Sequence, residues 1–295
     1  MNKHAYLIMY HDDFYILEKL LKQIDSVNHD IYLHIDKKVK NVDYLKIKDI
    51  VKKSNIYISR KINVKWSTSS QIKCELHLLK EAVKNKYSYY HLLSGNDLLI
   101  KDKDEIYNFF EQNKGYEYVA FSSFDNISDD ILKRVKYYHF LNGYRRDKNK
   151  IINKLANVIH FRFIKLQEKL KVNRLKNNNL NFRKGANWFS ITNDLANFVL
   201  KQEKEILKTY SFTNCSDELF LQTIVYNSKF KKKLYKKYNQ EHGNIKRYID
   251  WNRGEPYTYT IEDYSLLINS EAFFARKFSS RVDKDIIDKI YDTYK

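Results

Sequence analysis

The sequence predicts an α/β fold, a mostly parallel central sheet flanked by helices, and three observations carry that prediction. Short apolar runs alternate with longer amphipathic ones through the N-terminal third, as strands do when helices of about 10–15 residues cross between them. Polar clusters follow those apolar runs, at the strand ends where such a sheet opens its ligand crevice. No internal repeat, low-complexity tract or linker divides the 295 residues, so one domain is expected.

Taken in order, "AYLIMY" (5–10) reads as a strand, 13–24 as a helix, and "IYLHID" (31–36) and "NIYISR" (55–60) as further strands. A helical pattern over 70–85 leads to "YYHLLS" (89–94), a buried strand broken by the polar turn Ser94-Gly95-Asn96-Asp97. His11-Asp12-Asp13, Asp36-Lys37-Lys38 and that turn all sit at strand ends, so they should converge. "YEYVAF" (116–121) reads as another strand, followed by "RVKYYHF" (134–140). "NWFSITNDLANFVLK" (187–201) is a short buried strand running into a helix. "SDELFLQTIVYNS" (216–228) is a helix with Ser216 as its N-cap, and another helix opens at 261–263, before "FFARKFSSRVD" (273–283).

The charge balance is 54 Lys and Arg against 36 Asp and Glu, a net charge of +18, which points to an anionic partner: nucleic acid, an anionic membrane or a nucleotide diphosphate. Two cysteines, Cys74 and Cys215, make no disulfide framework and no zinc spacing. The first apolar run is too short for a signal segment or membrane span, and no later window reaches about 18 uncharged apolar residues. Phosphate-binding glycine loops, a Gly-x-Ser-x-Gly elbow and an H-E-x-x-H pair are all missing. Between Asp147 and Lys184 stand eleven Lys or Arg and two acids, with Ile151, Ile152, Leu155, Val158, Ile159, Ile164, Leu166 and Leu170 at roughly helical spacing. That pattern fits a helix docked on its own domain or one lying on an anionic membrane. "KFKKKLYKK" (229–237) is a second basic cluster, expected to be a solvated helix end.

Three small groups have chemical potential. Asp217 and Glu218 open a helix, where carboxylates cap free amides or, suitably placed, one serves as a general base. Arg276 and Lys277 lie in an otherwise apolar run, a cationic pair suited to a diphosphate or to carboxylate partners. Asp97 is a lone carboxylate at the strand-end turn, where nucleotide-sugar enzymes often carry two around a divalent metal.

In order along the chain, "HAYLIMYHDDFYILEKLLKQID", "IYLHIDKK", "HLLSGNDLLIK", "KGANWFSIT", "SDELFLQTIV", "RYIDW" and "FFARKF" resemble the core-2/I-branching glycosyltransferase family, which includes the peptide O-xylosyltransferases. The resemblance runs from about His4 to Asp283 and is weakest over 141–182. It implies a GT-A-like fold, with 1–125 binding the nucleotide and 126–295 the acceptor and diphosphate. It also implies an inverting transfer from a UDP-sugar, with no divalent metal and no other cofactor. On that resemblance Glu218 is the general base, Arg276 and Lys277 hold the diphosphate, and either Arg247 or Arg253 adds a positive charge. Asp36 meets uracil beside His11. Trp188, in the Gly185–Phe189 segment, offers a face to a sugar ring, while Asn96 and Asp97 contact donor or acceptor hydroxyls.

The expected donor sugar is N-acetylglucosamine, with xylose as the variant, and the expected acceptor is a glycan or lipid-linked glycan of surface polysaccharide assembly. A cytoplasmic location with peripheral contact to an anionic membrane follows from that reading. No nucleic acid partner is expected; the rival from another class is a non-catalytic basic nucleic-acid-binding protein, which the charge and 25 tyrosines would suit.

Overall fold

The computed structural model describes residues 2–122, 127–176, 178–235 and 245–295. Nine strands are described: β1 (His4–Tyr10), β2 (His29–Ile35), β3 (Asn55–Ser59), β4 (Tyr89–Ser94), β5 (Leu98–Leu99), β6 (Tyr118–Val119), β7 (Phe189–Thr192), β8 (Arg247–Ile249) and β9 (Phe274–Arg276). Six form one sheet in the order β3-β2-β1-β4-β7-β6. β1 to β4 pair in parallel, while β7 runs antiparallel to both β4 and β6. The result is the α/β architecture expected, with antiparallel pairing at one side of the sheet.

Alternate residues of a strand face opposite sides of its sheet, and β1 shows what each side meets. Ala5 and Leu7 join the core under the helix Ser70–Ala82; Tyr6, Ile8 and Tyr10 join the one under Phe14–Ile24 and Asp285–Thr293. Both faces are covered, so β1, β2 and β4 are continuous apolar runs rather than alternating ones. Among these strands His4, His29 and His91 are buried. His91 bonds Ser190 Oγ at 2.7 Å and His4 at 3.1 Å, and His29 Nδ1 meets the Ile24 carbonyl at 2.9 Å, so these are core groups.

Register fixes the place of the site. Tyr10 lies opposite Ile35 and Met9 opposite Ser94, so β1, β2 and β4 end level and their following loops emerge together. The amide of Asp36 donates to the Tyr10 carbonyl at 2.8 Å and that of Gly95 to Met9 at 3.0 Å. A Cβ on Gly95 would lie 2.7 Å from the Tyr10 ring, so glycine permits this close approach. The smaller sheet, β5-β9-β8, pairs Leu98 with Ala275 and thereby lays 276–277 against the 94–97 turn.

Three local expectations change. The strand at 116–121 is only Tyr118–Val119. Ser216 is not a helix N-cap: Cys215, in the left-handed region at φ 45°, leads into a 3-10 turn, Ser216–Glu218, before the helix Phe220–Tyr226. The Ser216 hydroxyl instead accepts from Thr213 at 2.7 Å. In the second basic cluster Lys229–Lys233 form a 3-10 turn, and residues 236–237 lie outside the described residues.

Candidate active site

Beyond the level ends of β1, β2 and β4 is a cavity of about 340 Å³ whose walls include His11, Asp36, Asn96, Trp188, Arg276 and Lys277. Six of the nine residues expected in the site therefore share one pocket. A larger groove of about 870 Å³ runs along β3 and contains none of them.

On the nucleotide side, Asp36 is buried and held by two backbone amides, Lys38 to Oδ1 at 2.8 Å and Val64 to Oδ2 at 3.0 Å. Fixed this way, each oxygen keeps a lone pair for a ligand. His11 stands at the rim; the crowded wall holds its pKa below the usual value, and Lys277 and Arg276 push the same way against Asp12 and Asp36. His34, also in the wall, accepts from the Ile62 amide at 3.1 Å, and burial lowers its pKa to about 4, so it is neutral.

The opposite wall is cationic and aromatic. The Arg276 guanidinium lies 4.1 Å from the centre of the Trp188 ring, which is itself 8% exposed. Its Nε faces Asp97 Oδ1 at 3.7 Å. Burial pulls the Arg276 pKa down and Asp97 pulls it back up, and an arginine so placed still stays charged. Among the described residues no hydrogen bond or ion pair engages the Lys277 ammonium, and the backbone around it is fixed by Tyr257 and Tyr259.

Asp97 differs from the expectation of a sugar contact. It is turned inward, accepting from the Ser94 amide and hydroxyl at 2.9 Å each, and it is not in the cavity wall. Burial raises its pKa, with Arg276 the leading opposing influence, so its partner is the guanidinium. Asn96 does line the pocket, its amide nitrogen 3.4 Å from the Phe278 carbonyl. Among the described residues no cluster of three or more His, Cys, Asp or Glu is placed to hold a metal ion.

Neither arginine proposed as an extra cation reaches the cavity. Arg247 is 3% exposed and donates to Ser190 Oγ at 2.9 Å, to the Phe189 carbonyl at 2.7 Å, to Leu92 at 3.4 Å and to Ile245. Burial lowers its pKa to about 9. Arg253 is committed to Asp250 at 2.6 Å and Asp263 at 2.7 Å.

Glu218 flanks the cavity instead of lining it. Its carbonyl accepts from the Gly185 amide at 3.0 Å, which ties the acidic turn to the Gly185–Phe189 segment. A Cβ on Gly185 would fall 1.9 Å from the Ala120 carbonyl oxygen, so only glycine lets this segment cross there. The Glu218 side chain is about one-third exposed, with Arg134 at 2.9 Å and Lys184 at 3.8 Å. Neighbouring Asp217 is buried and accepts from Gln71 Nε2 at 2.9 Å, and Gln71 lines the cavity. Burial first, then Glu218, raises the Asp217 pKa to about 7.

Sequence reasoning missed Arg134 and Gln71, and also Trp66 and Arg146. Arg146 stacks 3.4 Å from the Trp66 ring centre, and both line the cavity. An exposed tryptophan in a polar loop and a twin arginine were the only signals, and no spacing joins them.

Fold and pocket together define an α/β protein with a strand-end pocket, a fixed carboxylate on one wall and the cations Arg276 and Lys277 on the other. The family model "Core-2/I-Branching enzyme" matches residues 4–268, and the chain belongs to that family. It is 24% identical to "Xylosyltransferase sqv-6" of Caenorhabditis briggsae over 92% of this chain and 34% of that protein. It is 22% identical to "Xylosyltransferase 2" of Rattus norvegicus over 92% of this chain and 31% of that one. The chain thus spans about a third of the length of these relatives. A solved structure of mouse xyloside xylosyltransferase 1, apo form, aligns over 93% of this chain and 97% of that one, at a TM-score of 0.38 and 9% identity.

Proposed function

We propose that the protein is an inverting, metal-independent glycosyltransferase that moves N-acetylglucosamine from a UDP-sugar to a hydroxyl of a glycan acceptor. The observation carrying this reading is the pairing of Asp36 with Arg276, Lys277 and Trp188 across one pocket in a chain of this family. Asp36 accepts from the uracil, and the ring of Trp188 backs the sugar. As the C1–oxygen bond to UDP breaks, Arg276 and Lys277 stabilise the charge growing on the diphosphate, which is the work a metal does elsewhere.

The acceptor enters from the Glu218 side. Its hydroxyl oxygen forms the new bond to C1 while Glu218 takes the proton, and Arg134 orients that carboxylate. Xylose transfer is the second reading, supported by the xylosyltransferase names of the relatives.

The test is UDP release from a panel of UDP-sugars with acceptor glycans, with and without EDTA. Release should persist in EDTA with one donor preferred, and Glu218→Gln should lower turnover about 10²–10⁴-fold. Loss of release in EDTA overturns the metal-free mechanism, and full turnover in Glu218→Gln removes it as the base.

A further inference from the structure

The helix Lys150–Lys169 has its polarity reversed. A surface helix ordinarily turns its apolar stripe to the core and its polar face to water. Here the inward stripe carries Asn153, Asn157, His160 and Gln167, with His160 8% and Gln167 3% exposed. Their polar groups are satisfied by the protein. Asn153 and Asn157 donate to the Arg145 carbonyl at 2.9 and 3.1 Å, and Gln167 both donates to and accepts from the Tyr138 backbone at 3.0 and 2.8 Å. The outward stripe is aliphatic: Ile151 is 77% exposed and Leu170 65%, and Leu155, Val158, Ile159 and Leu166 are exposed between them. Exposed Phe140 and Phe212 extend it, packed on one another with ring centres 4.8 Å apart.

Cations fringe and interleave this surface. Lys150, Lys154, Arg162, Lys165 and Lys169 are exposed along the same helix, against the single acid Glu168, which pairs with Lys133 at 3.1 Å. A second copy of the chain is a poor occupant, because apposing two such faces would bring like charges together. Nucleic acid would satisfy the cations but leave the aliphatic side chains without a partner. No helix among the described residues is long and apolar enough to cross a bilayer. Aliphatic side chains with lysines that reach past them suit the interface of an anionic bilayer.

We propose that the outward face of this helix docks on an anionic membrane surface. The inward face links that docking to the pocket, since Arg145, held by Asn153 and Asn157, precedes Arg146, which lies over Trp66 in the cavity wall. Docked this way, the protein holds its pocket beside the bilayer, where a lipid-linked glycan would present its acceptor hydroxyl. This last consequence rests on the transferase reading above; the docking itself does not.

The experiment is flotation of the full chain with phosphatidylcholine vesicles, with and without about one-third phosphatidylglycerol, at ~0.1 M and ~0.5 M salt. Binding should need the anionic lipid and weaken at high salt. Two variants, Leu155→Asn/Ile159→Asn/Leu166→Asn and Lys154→Gln/Lys165→Gln/Lys169→Gln, should each lower partitioning at least about ten-fold. All six positions are exposed, so thermal melting and UDP release with a soluble acceptor should match the parent. Failure of the parent to float, equal flotation with neutral vesicles, or undiminished flotation of either variant overturns the proposal. So does a dimer that the aliphatic variant abolishes, which would give the face to a second copy. Flotation without UDP release from any donor would sink the transferase reading and leave the docking intact.

Discussion

Arg247 and Arg276 sit on neighbouring strands of the small sheet, β8 and β9, two residues out of register. Arg247 has given its terminal NH groups to Ser190 and to carbonyls from three separate segments, at the seam between the two sheets. Arg276, at the end of its strand, lines the cavity against the face of Trp188 with Nε 3.7 Å from Asp97, and among the described residues no hydrogen bond takes its terminal NH groups. Identical side chains thus divide into a spent cation that holds the fold and an unspent one that holds charge ready for a ligand. Net charge and local sequence do not separate them; engagement of the terminal NH groups does.

Substitution should separate them as well. Arg247→Ala leaves several buried carbonyls unsatisfied, at ~1–3 kcal/mol each, so a stability loss above about 3 kcal/mol is expected in denaturant melts. An unchanged midpoint would show that water or repacking replaces those bonds. Arg276→Ala and Lys277→Ala should do the reverse, lowering turnover about 10²–10³-fold with melting near that of the parent. A large melting shift with normal turnover would make Arg276 a second structural arginine. Asp97→Asn keeps an oxygen for Ser94 but removes the charge facing Arg276, so about a ten-fold loss of turnover is expected, measured as UDP release at saturating donor.

The pocket was legible in the sequence wherever a strand end decides it. His11, Asp36 and Asn96 each follow an apolar run, and parallel register brings such ends level. Lys277 stands out as half of a cationic pair in an apolar run and Trp188 through the resemblance, and the pairing of β9 with β5 explains how so distant a segment as 276–277 joins the turn at 94–97. What sequence did not disclose is where donors and acceptors are consumed. The terminal NH groups of Arg247 are taken by Ser190 and by carbonyls of Leu92, Phe189 and Ile245, which no local pattern anticipates. The inward turn of Asp97 depends on Ser94, and the reversed helix depends on backbone groups of Arg145 and Tyr138 that satisfy Asn and Gln side chains. Hydrophobic periodicity assumes that apolar side chains point in, and that assumption fails when the interior offers hydrogen bonds instead.

A pH dependence tests the same division among carboxylates. Among the described residues the buried Oδ1 of Asp217 has no hydrogen-bond partner, while Glu218 next to it is paired with Arg134 at 2.9 Å. Glu75 is also buried, with no hydrogen bond to either oxygen among the described residues, and burial first and then the neighbouring Asp217 raise its pKa well above the ordinary value. An acid raised in the folded state from 3.8 to about 7 binds more protons folded than unfolded. Its contribution is therefore fully present below pH ~4, is lost as pH rises toward ~7, and is flat above that. Asp217→Asn cannot ionise and keeps an acceptor for Gln71, so its unfolding free energy in denaturant should fall less between pH 4 and 7, by up to about 4 kcal/mol. Parallel curves for parent and variant would show that Asp217 is ionised throughout, and that the acidic turn carries two charged carboxylates instead of one.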